Sequence, residues 1–562
     1  MKHLPALAAA SLFLALPLAA QTVVLREGDP SPSGQPGQTI TNLGSLEVNG
    51  AGGYAYLVAT DGPQGFQGEF WGNLSGGPGQ VLRLPDPSGP VPREAFLSPF
   101  GISLDEIGYV SLRNLGTSNV LTDVWVDDTL VASAGGPVPG TGEFWLSLTD
   151  AGVTEQSEPY FYGFKSGTPL GAPTGKGIYF GSTATPLYEV GATYPNVSFP
   201  LSDLRTSPSW RCSISSNGAH SICRGAVIDP AFSTIFGRSL MLKDGAGLVL
   251  GGSLVQGAAP IPPSAGGLPG DTWGFAGPCE VNSAGDYFFL GGAGFPTFDE
   301  YILRNDVIWR RSGDVVDGFT LTSEVIDAAI SENGRMAYAW RIDGPVSVFD
   351  HAVFLEDRLL IKRDDPVDWD GDGVLDAAFF RSAGLLDPLE VAPDGTVHLL
   401  ANFLVNGVLL DAIVRFDPET VGTRYCGPAV VNSTGVAGRM GASGSADVAA
   451  NDLVLEASSL PSNAFGFFVT SRVQDFVANP GGSAGNLCLG GAIGRYVGPG
   501  QIQSSGPSGS ISLAVDLTLH PTPTGPTSVT AGDTWSFQLW HRDIVQGAVT
   551  SNFTDGYEIV FE

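Results

Sequence analysis

This chain is short of positive charge, sulfur and helix signals. Lys and Arg number 27 of 562 residues against 57 Asp and Glu, a formal net charge of −30. That balance excludes nucleic acid and anionic membrane surfaces as partners, because both are held by basic patches. Beyond the first twenty residues no run of about 18 apolar residues occurs, so no membrane insertion is expected. The six histidines are scattered, and neither Cys-x-x-Cys nor His-Glu-x-x-His is present, so a catalytic zinc site has no support. What the chain does have is 77 Gly, 41 Pro and 43% hydrophobic residues. Such a composition suits packed cores joined by many turns. Its length exceeds one ordinary core, so two domains or a repeat architecture are expected.

The first residues, Met1-Lys2-His3, precede the apolar run Leu4 to Leu18 and then Ala19-Ala20-Gln21. A basic start, a short apolar segment and small residues form the pattern of a secretory signal peptide over residues 1–20. No Cys follows the cleavage point, so no lipid anchor is expected there. A secreted or cell-surface location, with the periplasm as an alternative, places five cysteines in an oxidising compartment. Cys212 and Cys223 lie symmetrically about Asn217-Gly218, which predicts a cross-strand disulfide worth roughly 3 kcal/mol. Cys426 and Cys488 make the second expected pair. Cys279 is left as a buried small hydrophobe.

One motif recurs along residues 21–424. Its clearest copy is Ala329-Ile-Ser-Glu-Asn-Gly-Arg-Met-Ala-Tyr-Ala-Trp340, which reads as strand, tight turn, strand. Asn333-Gly334 forms the turn, since both residues accept the positive φ of a two-residue hairpin. Asn49, Asp105, Asp150, Asn217, Asn282, Asn333 and Asp394 mark seven copies, 45–67 residues apart. That spacing fits one four-stranded blade per repeat. A second element follows the motif, an apolar strand ending in a Gly/Asp/Pro cluster, as in Asp306–Asp314 and Leu359–Pro366. It is missing after the seventh motif, while a lone copy, Thr22-Val-Val-Leu-Arg-Glu-Gly-Asp-Pro30, stands at the start. Ring closure accounts for both, with the N-terminal strand pairing near Leu409–Arg415. The prediction is a seven-bladed β-propeller with no exposed sheet edge. An open array of hairpins is the alternative.

At Tyr425 the repeat stops. Period-2 strands appear instead at 452–457, 464–470, 510–519 and 534–541, separated by turn clusters, which reads as an antiparallel β-sandwich over 425–562. On the last strand Trp535, Phe537 and Leu539 share the core face. Trp540 on the other face, beside Gln538 and Arg542, is either a sugar-stacking platform or a Trp packed under a loop.

The tandem Asn-x-x-Gly pattern with Arg-Glu-Gly-Asp-Pro tails resembles propeller-type tandem-repeat proteins secreted by environmental bacteria. Residues 425–562 resemble a C-terminal module found on many large secreted bacterial proteins. The matching residues are Tyr425-Cys-Gly-Pro, Asn432-Ser-Thr-Gly435, Gly485-Asn-Leu-Cys-Leu-Gly-Gly491, Trp535–Asp543 and Thr550–Gly556. Neither resemblance implies an activity.

The sharpest chemical motif is Asp368-Trp-Asp-Gly-Asp-Gly-Val-Leu-Asp376. Carboxylates at alternate positions around a Gly are the front of a calcium loop. Phe379 stands where an EF-hand has Glu, so the pattern resembles instead the loops of integrin-type propellers. That resemblance implies calcium held by Asp368, Asp370, Asp372 and Asp376 and the Val374 carbonyl, in a structural role. A solvated acidic turn is the plain alternative. Gly481-Gly-Ser-Ala-Gly485 matches a nucleophile elbow but lacks the strand-to-helix setting that motif needs. His220 and His398 are expected as ordinary strand histidines, and His541-Arg542-Asp543 as a salt-bridged strand end. The sequons at Asn73, Asn196, Asn432 and Asn552 depend on a host that uses them. With no catalytic constellation visible, the leading expectation is a secreted, non-enzymatic, calcium-stabilised binding or structural protein with an extracellular glycan or surface-protein partner. The alternatives are a propeller-type polysaccharide hydrolase or lyase, and a carbohydrate-binding or sorting role in the C-terminal module.

Overall fold

The computed structural model describes residues 21–562 except 35–36, 63–64, 115–119, 182–184, 205–211, 231–236, 253–258, 295–298, 344–349, 371–374, 385–387, 418–420, 428, 452, 507–508 and 546. The chain is all-β and divides into two compact units, at Asp417/Pro418. Strand Thr423–Tyr425 pairs with Gly556–Val560, so it belongs to the second unit. A boundary at Tyr425 follows the composition, which shifts only after that strand begins. No helix among the described residues is long and apolar enough to cross a membrane.

Among the described residues, the first unit holds seven antiparallel sheets of four or five strands. Their first strands include Ile40–Val48, Ala95–Ile102, Phe144–Val153, Trp273–Val281 and Phe319–Ile330. In the fourth and seventh sheets this edge is split, into Leu201–Leu204 with Ser213–Ile214, and Ala378–Ala383 with Leu389–Val391. The seventh sheet is finished by strand Gln21–Arg26, which pairs with Val408–Phe416 in the register Thr22 to Arg415. That is where the repeat count left a strand missing.

Seven buried clusters lie between consecutive sheets. Phe288, Leu290 and Ile302 of the fifth sheet pack on Tyr338, Trp340 and Ile342 of the sixth. Leu25, Leu400 and Ile413 of the seventh pack on Ile40, Leu46 and Tyr56 of the first. A strand buried on both faces reads as a continuous apolar run, as Met336-Ala-Tyr-Ala-Trp340 does. Five of the seams also share a hydrogen bond. A residue just past the last strand of one sheet donates its N–H to the first strand of the next: Gly135 to Trp145, Gly191 to Leu201, Gly252 to Trp273, Gly313 to Leu321 and Asp364 to Phe380, at 2.7–2.9 Å. Gly28 donates to Ile40 in the same way, at 2.8 Å, so the seam between the seventh and first sheets is built like those five.

The tail motif has a local cause. Asp29, Asp314 and Asp365 each accept the backbone N–H of the residue three before, Arg26, Arg311 and Lys362, at 2.9–3.1 Å. Each carboxylate closes a turn that aims the chain at the next sheet.

The turn motif differs from expectation. Glycine takes the positive φ, at Gly218, Gly334 and Gly395, whereas Asn217 and Asn333 do not. The loop is longer than two residues: Ser331 N–H reaches Arg335 O and Gly334 N–H reaches Ser331 O. The asparagines act through their side chains instead. Asn282 Oδ1 accepts from Ala284 and Asp286 N–H within its own turn, and Nδ2 donates to Ser331 O of the next sheet at 3.0 Å. Asn49 clasps Ser103 O, Asn217 clasps Ser283 O and Asn333 clasps Pro393 O in the same direction. Aspartate offers no amide donor, so the Asp copies lack this clasp. The third marker was misplaced. Asp150 lies inside strand Phe144–Val153, at φ 50° beside a bulge, and the turn itself is Thr154–Glu158.

In the second unit, strands Thr423–Tyr425, Gly556–Val560, Thr534–Val545 and Phe465–Ser471 form the backbone of one sheet, and Arg439–Ser443, Val454–Ser458 and Ile511–Ala514 form another. Both feed one core, with Met440, Leu455 and Ile511 from the smaller sheet and Phe468, Phe537 and Ile559 from the larger. Trp535, Phe537 and Leu539 share that core, as the period-2 pattern implies. The expected strand over 510–519 stops at Ala514, because Asp516 caps a short 3-10 turn by accepting Thr518 N–H.

Candidate functional site

Aligning the turns by their hydrogen bonds gives equivalent second positions: Gly50, Leu104, Glu155, Ser216, Ser283, Glu332 and Pro393, one per sheet. Several of these converge. Glu332 Oε1 accepts from Ser216 Oγ at 2.7 Å, and its Oε2 accepts from Ser283 N–H at 3.0 Å. Glu155 N–H donates to Ser216 O at 2.8 Å. A methyl group placed on Gly50 would stand 3.0 Å from Glu155 Oε1 and 3.2 Å from Glu332 Cγ. Turns from the first, third, fourth, fifth and sixth sheets thus meet around two carboxylates. Desolvation, then the charge of Glu332, raises the Glu155 pKa above the usual range.

Beneath this mouth lies a cavity of about 110 Å³ lined by residues of all seven sheets. Its walls include Glu47, Asp150, Glu280 and Glu390, and no lysine or arginine is among its described lining residues. Glu280 Oε2 accepts Ile330 N–H at 3.0 Å. Ordinary ligand clefts enclose roughly 300–1,000 Å³, so this one suits a small charged group rather than a sugar ring. Glu155 and Glu332 belong to no named motif. The signal that finds them is position, the residue after a Ser or Thr that opens a turn.

The acidic loop lies elsewhere, between the sixth and seventh sheets. Asp368, Asp370 and Asp376 can each offer an oxygen within 4.8 Å of the others; Asp372 and Val374 lie outside the described residues. Asp376 Oδ2 accepts N–H from Trp369 at 2.8 Å and from Asp370 at 3.2 Å. Arg26 donates to Trp369 O at 2.6 Å, which ties the loop to the N-terminal strand. A hard, oxygen-only donor set of this kind fits calcium better than zinc or iron.

Of the cysteine pairs, Cys426 and Cys488 are bonded. Cys212 and Cys223 are thiols, so the bridge expected there is not formed. Strand Ser213–Ile214 is only two residues long, and Cys212 falls just beyond its ladder. Ser483, centre of the Gly-x-Ser-x-Gly match, donates to Ser551 O, with no α-helix after it among the described residues. Trp540 packs on Phe467 at 5.0 Å, the arrangement of a packed Trp rather than an open platform. The His541-Arg542-Asp543 expectation fails in its geometry. His541 and Asp543 are buried and Arg542 is exposed on the other face, while Asp543 accepts from Ser433, Asn552 and Ile544. His398 is an ordinary strand histidine, buried against Tyr56 OH at 2.5 Å, whereas His220 falls outside the expected strand, in the turn just before Ser221–Val227, and meets Asp244 at 3.1 Å. Asn432 and Asn552 are buried and hydrogen-bonded, so those two sequons are closed to modification.

The fold and the axial mouth describe an all-β protein of the propeller type. No protein-family model matches the chain, and no curated protein matches it. Among solved structures it is similar to the Dos1 propeller, at 8% identity and a TM-score of 0.30 over 67% of this chain and 78% of that one. It is also similar to a GH43 protein, BlXynB from Bacillus licheniformis, at 8% identity and a TM-score of 0.21 over 96% of each chain.

Proposed function

We propose that this chain is a secreted, non-enzymatic binding protein of the cell surface or extracellular matrix. It is read as a closed seven-bladed propeller followed by a β-sandwich, with an axial mouth that takes a cationic group of its partner. The carrying observation is the pair Glu155 and Glu332, drawn together from two sheets above an acidic cavity. Like charges held this close repel unless a cation or proton sits with them. A calcium ion at Asp368, Asp370 and Asp376, completed by Asp372 and Val374, stiffens the closing seam in this reading.

The test uses a short oligolysine peptide as probe, titrated onto the full chain by calorimetry at low and physiological salt. Binding that weakens with salt and falls at least tenfold in the E155Q/E332Q variant supports the reading. Equal binding by the variant overturns it. A polysaccharide hydrolase or lyase rests on the same carboxylates, since such enzymes use a pair of carboxyl groups of which one has a raised pKa. Reducing-sugar release from a polysaccharide panel, lost in E155Q, would favour that second reading.

A further inference from the structure

Three of the five cysteines gather at one wall of the axial cavity. Cys212 and Cys279 line it, and Cys223 is wholly buried behind them. Ser213 pairs with Ile222 and Ile214 with Ser221, so continuing that register sets Cys212 opposite Cys223. The Cys223 thiol donates to Arg224 O at 3.7 Å. Cys279, on the first strand of the fifth sheet, points its Sγ at Ile222 O, 3.8 Å away. Directly opposed strand residues have Cα atoms about 4.5–5.5 Å apart, inside the range a disulfide spans.

We propose that Cys212 and Cys223 are a reversible dithiol–disulfide couple opening on the axial cavity, with Cys212 as the attacking thiol and Cys223 as the resolving one. Cys212 is half-buried, whereas Cys223 is fully buried and Cys279 nearly so. The oxidant is a low-molecular-weight disulfide. Deprotonated Cys212 attacks one of its sulfurs, that S–S bond breaks, and half of the molecule leaves as a thiolate that takes up a proton. Deprotonated Cys223 then attacks Cys212 Sγ and expels the other half, which is protonated in turn. Two cysteine S–H bonds and one small disulfide become one protein S–S bond and two small thiols. The product staples the fourth sheet, whose first edge consists of only a four-residue and a two-residue strand. Burial raises the Cys212 thiol well above its usual range. Attack is therefore slow at neutral pH and speeds up about tenfold per pH unit as the thiolate fraction grows.

The experiment incubates the full chain with cystamine, a small cationic disulfide, at pH 7.0, 8.0 and 9.0, alkylates the remaining thiols and maps peptides by mass spectrometry. Expected results are a Cys212–Cys223 peptide in the wild type and in C279S, cysteamine trapped on Cys212 in C223S, and no modified thiol in C212S. A Cys212–Cys279 product overturns the proposal. So does modification of Cys223 in folded C212S, or no oxidation in the native chain when a urea-unfolded control reacts.

Discussion

His520 makes the second unit sensitive to acid. It is fully buried, with Nε2 at 3.1 Å from Thr470 Oγ1, Nδ1 at 3.0 Å from the Tyr496 hydroxyl, and its ring 4.0 Å from that of Trp535. Burial first, and then the Arg472 guanidinium, lowers its pKa from 6.5 to about 4, with Asp533 opposing weakly. A base whose folded pKa is depressed favours the unfolded chain once that chain takes up a proton. Stability is therefore constant above pH 6.5, is lost as the pH falls from 6.5 towards 4, and changes no further on this account below that. At pH 5 the cost is about 2 kcal/mol, from 1.36 kcal/mol per pKa unit. His541, buried in the same unit and also lowered by burial, adds loss of the same sign. Against a typical stability of roughly 5–15 kcal/mol this is a large fraction. Urea unfolding of the full chain at pH 7.5 and 5.0, read by pulse proteolysis of the 418–562 unit, measures it. In H520Q the pH-dependent loss should shrink by about 2 kcal/mol, whatever the variant costs at pH 7.5. An unchanged loss in H520Q, or an NMR titration of His520 near 6.5, would refute the reasoning.

Two further outcomes follow from the turn and loop geometry. Asn282→Asp keeps the acceptor that holds its own turn but removes the donor to Ser331 O; Asn282 is buried, so the change should cost about 1–3 kcal/mol and lower the melting temperature by a few degrees, and an unchanged melt would remove the clasp from the account. Calcium should raise the melting temperature of the wild type relative to a chelator and leave the Asp370→Ala/Asp372→Ala variant unmoved; if the wild type does not respond, the acidic loop is a solvated turn.

Much of the fold was legible because it repeats. A strand buried on both faces must be continuously apolar, and the copies around Tyr338 and Phe288 say so directly. The lone tail at Thr22–Pro30 is informative for the same reason, since a strand pattern without its repeat must complete a sheet elsewhere, and it does so at Val408–Phe416. What misled was treating Asn as a conformational marker. Asn49 and Asn282 open their turns, whereas Asn217 and Asn333 stand two residues further on behind Ser215 and Ser331. The residues share a hydrogen-bonding task, clasping the next turn, and not a φ angle. Asp150 shows the cost of that confusion: it carries the marker's chemistry but sits in a bulge, four residues before the turn opens at Thr154.

The axial site was illegible for a deeper reason. Glu155 and Glu332 are 177 positions apart in the sequence, and nothing local distinguishes them from the other glutamates. Their meeting is a property of the tertiary fold, which brings equivalent turn positions of different sheets together. Once the turns are aligned by their bonds, the seven second positions divide into residues that fill space, Gly50, Leu104 and Pro393, and residues that offer oxygen, Glu155, Ser216, Ser283 and Glu332. The oxygen-bearing positions fall in the third to sixth sheets, so one side of the mouth is acidic and the other small or apolar. Under the proposed function a cationic partner is drawn to that side, which is why a paired substitution at Glu155 and Glu332, rather than a change in overall charge, separates recognition at the axis from the attraction of a chain carrying a net charge of −30.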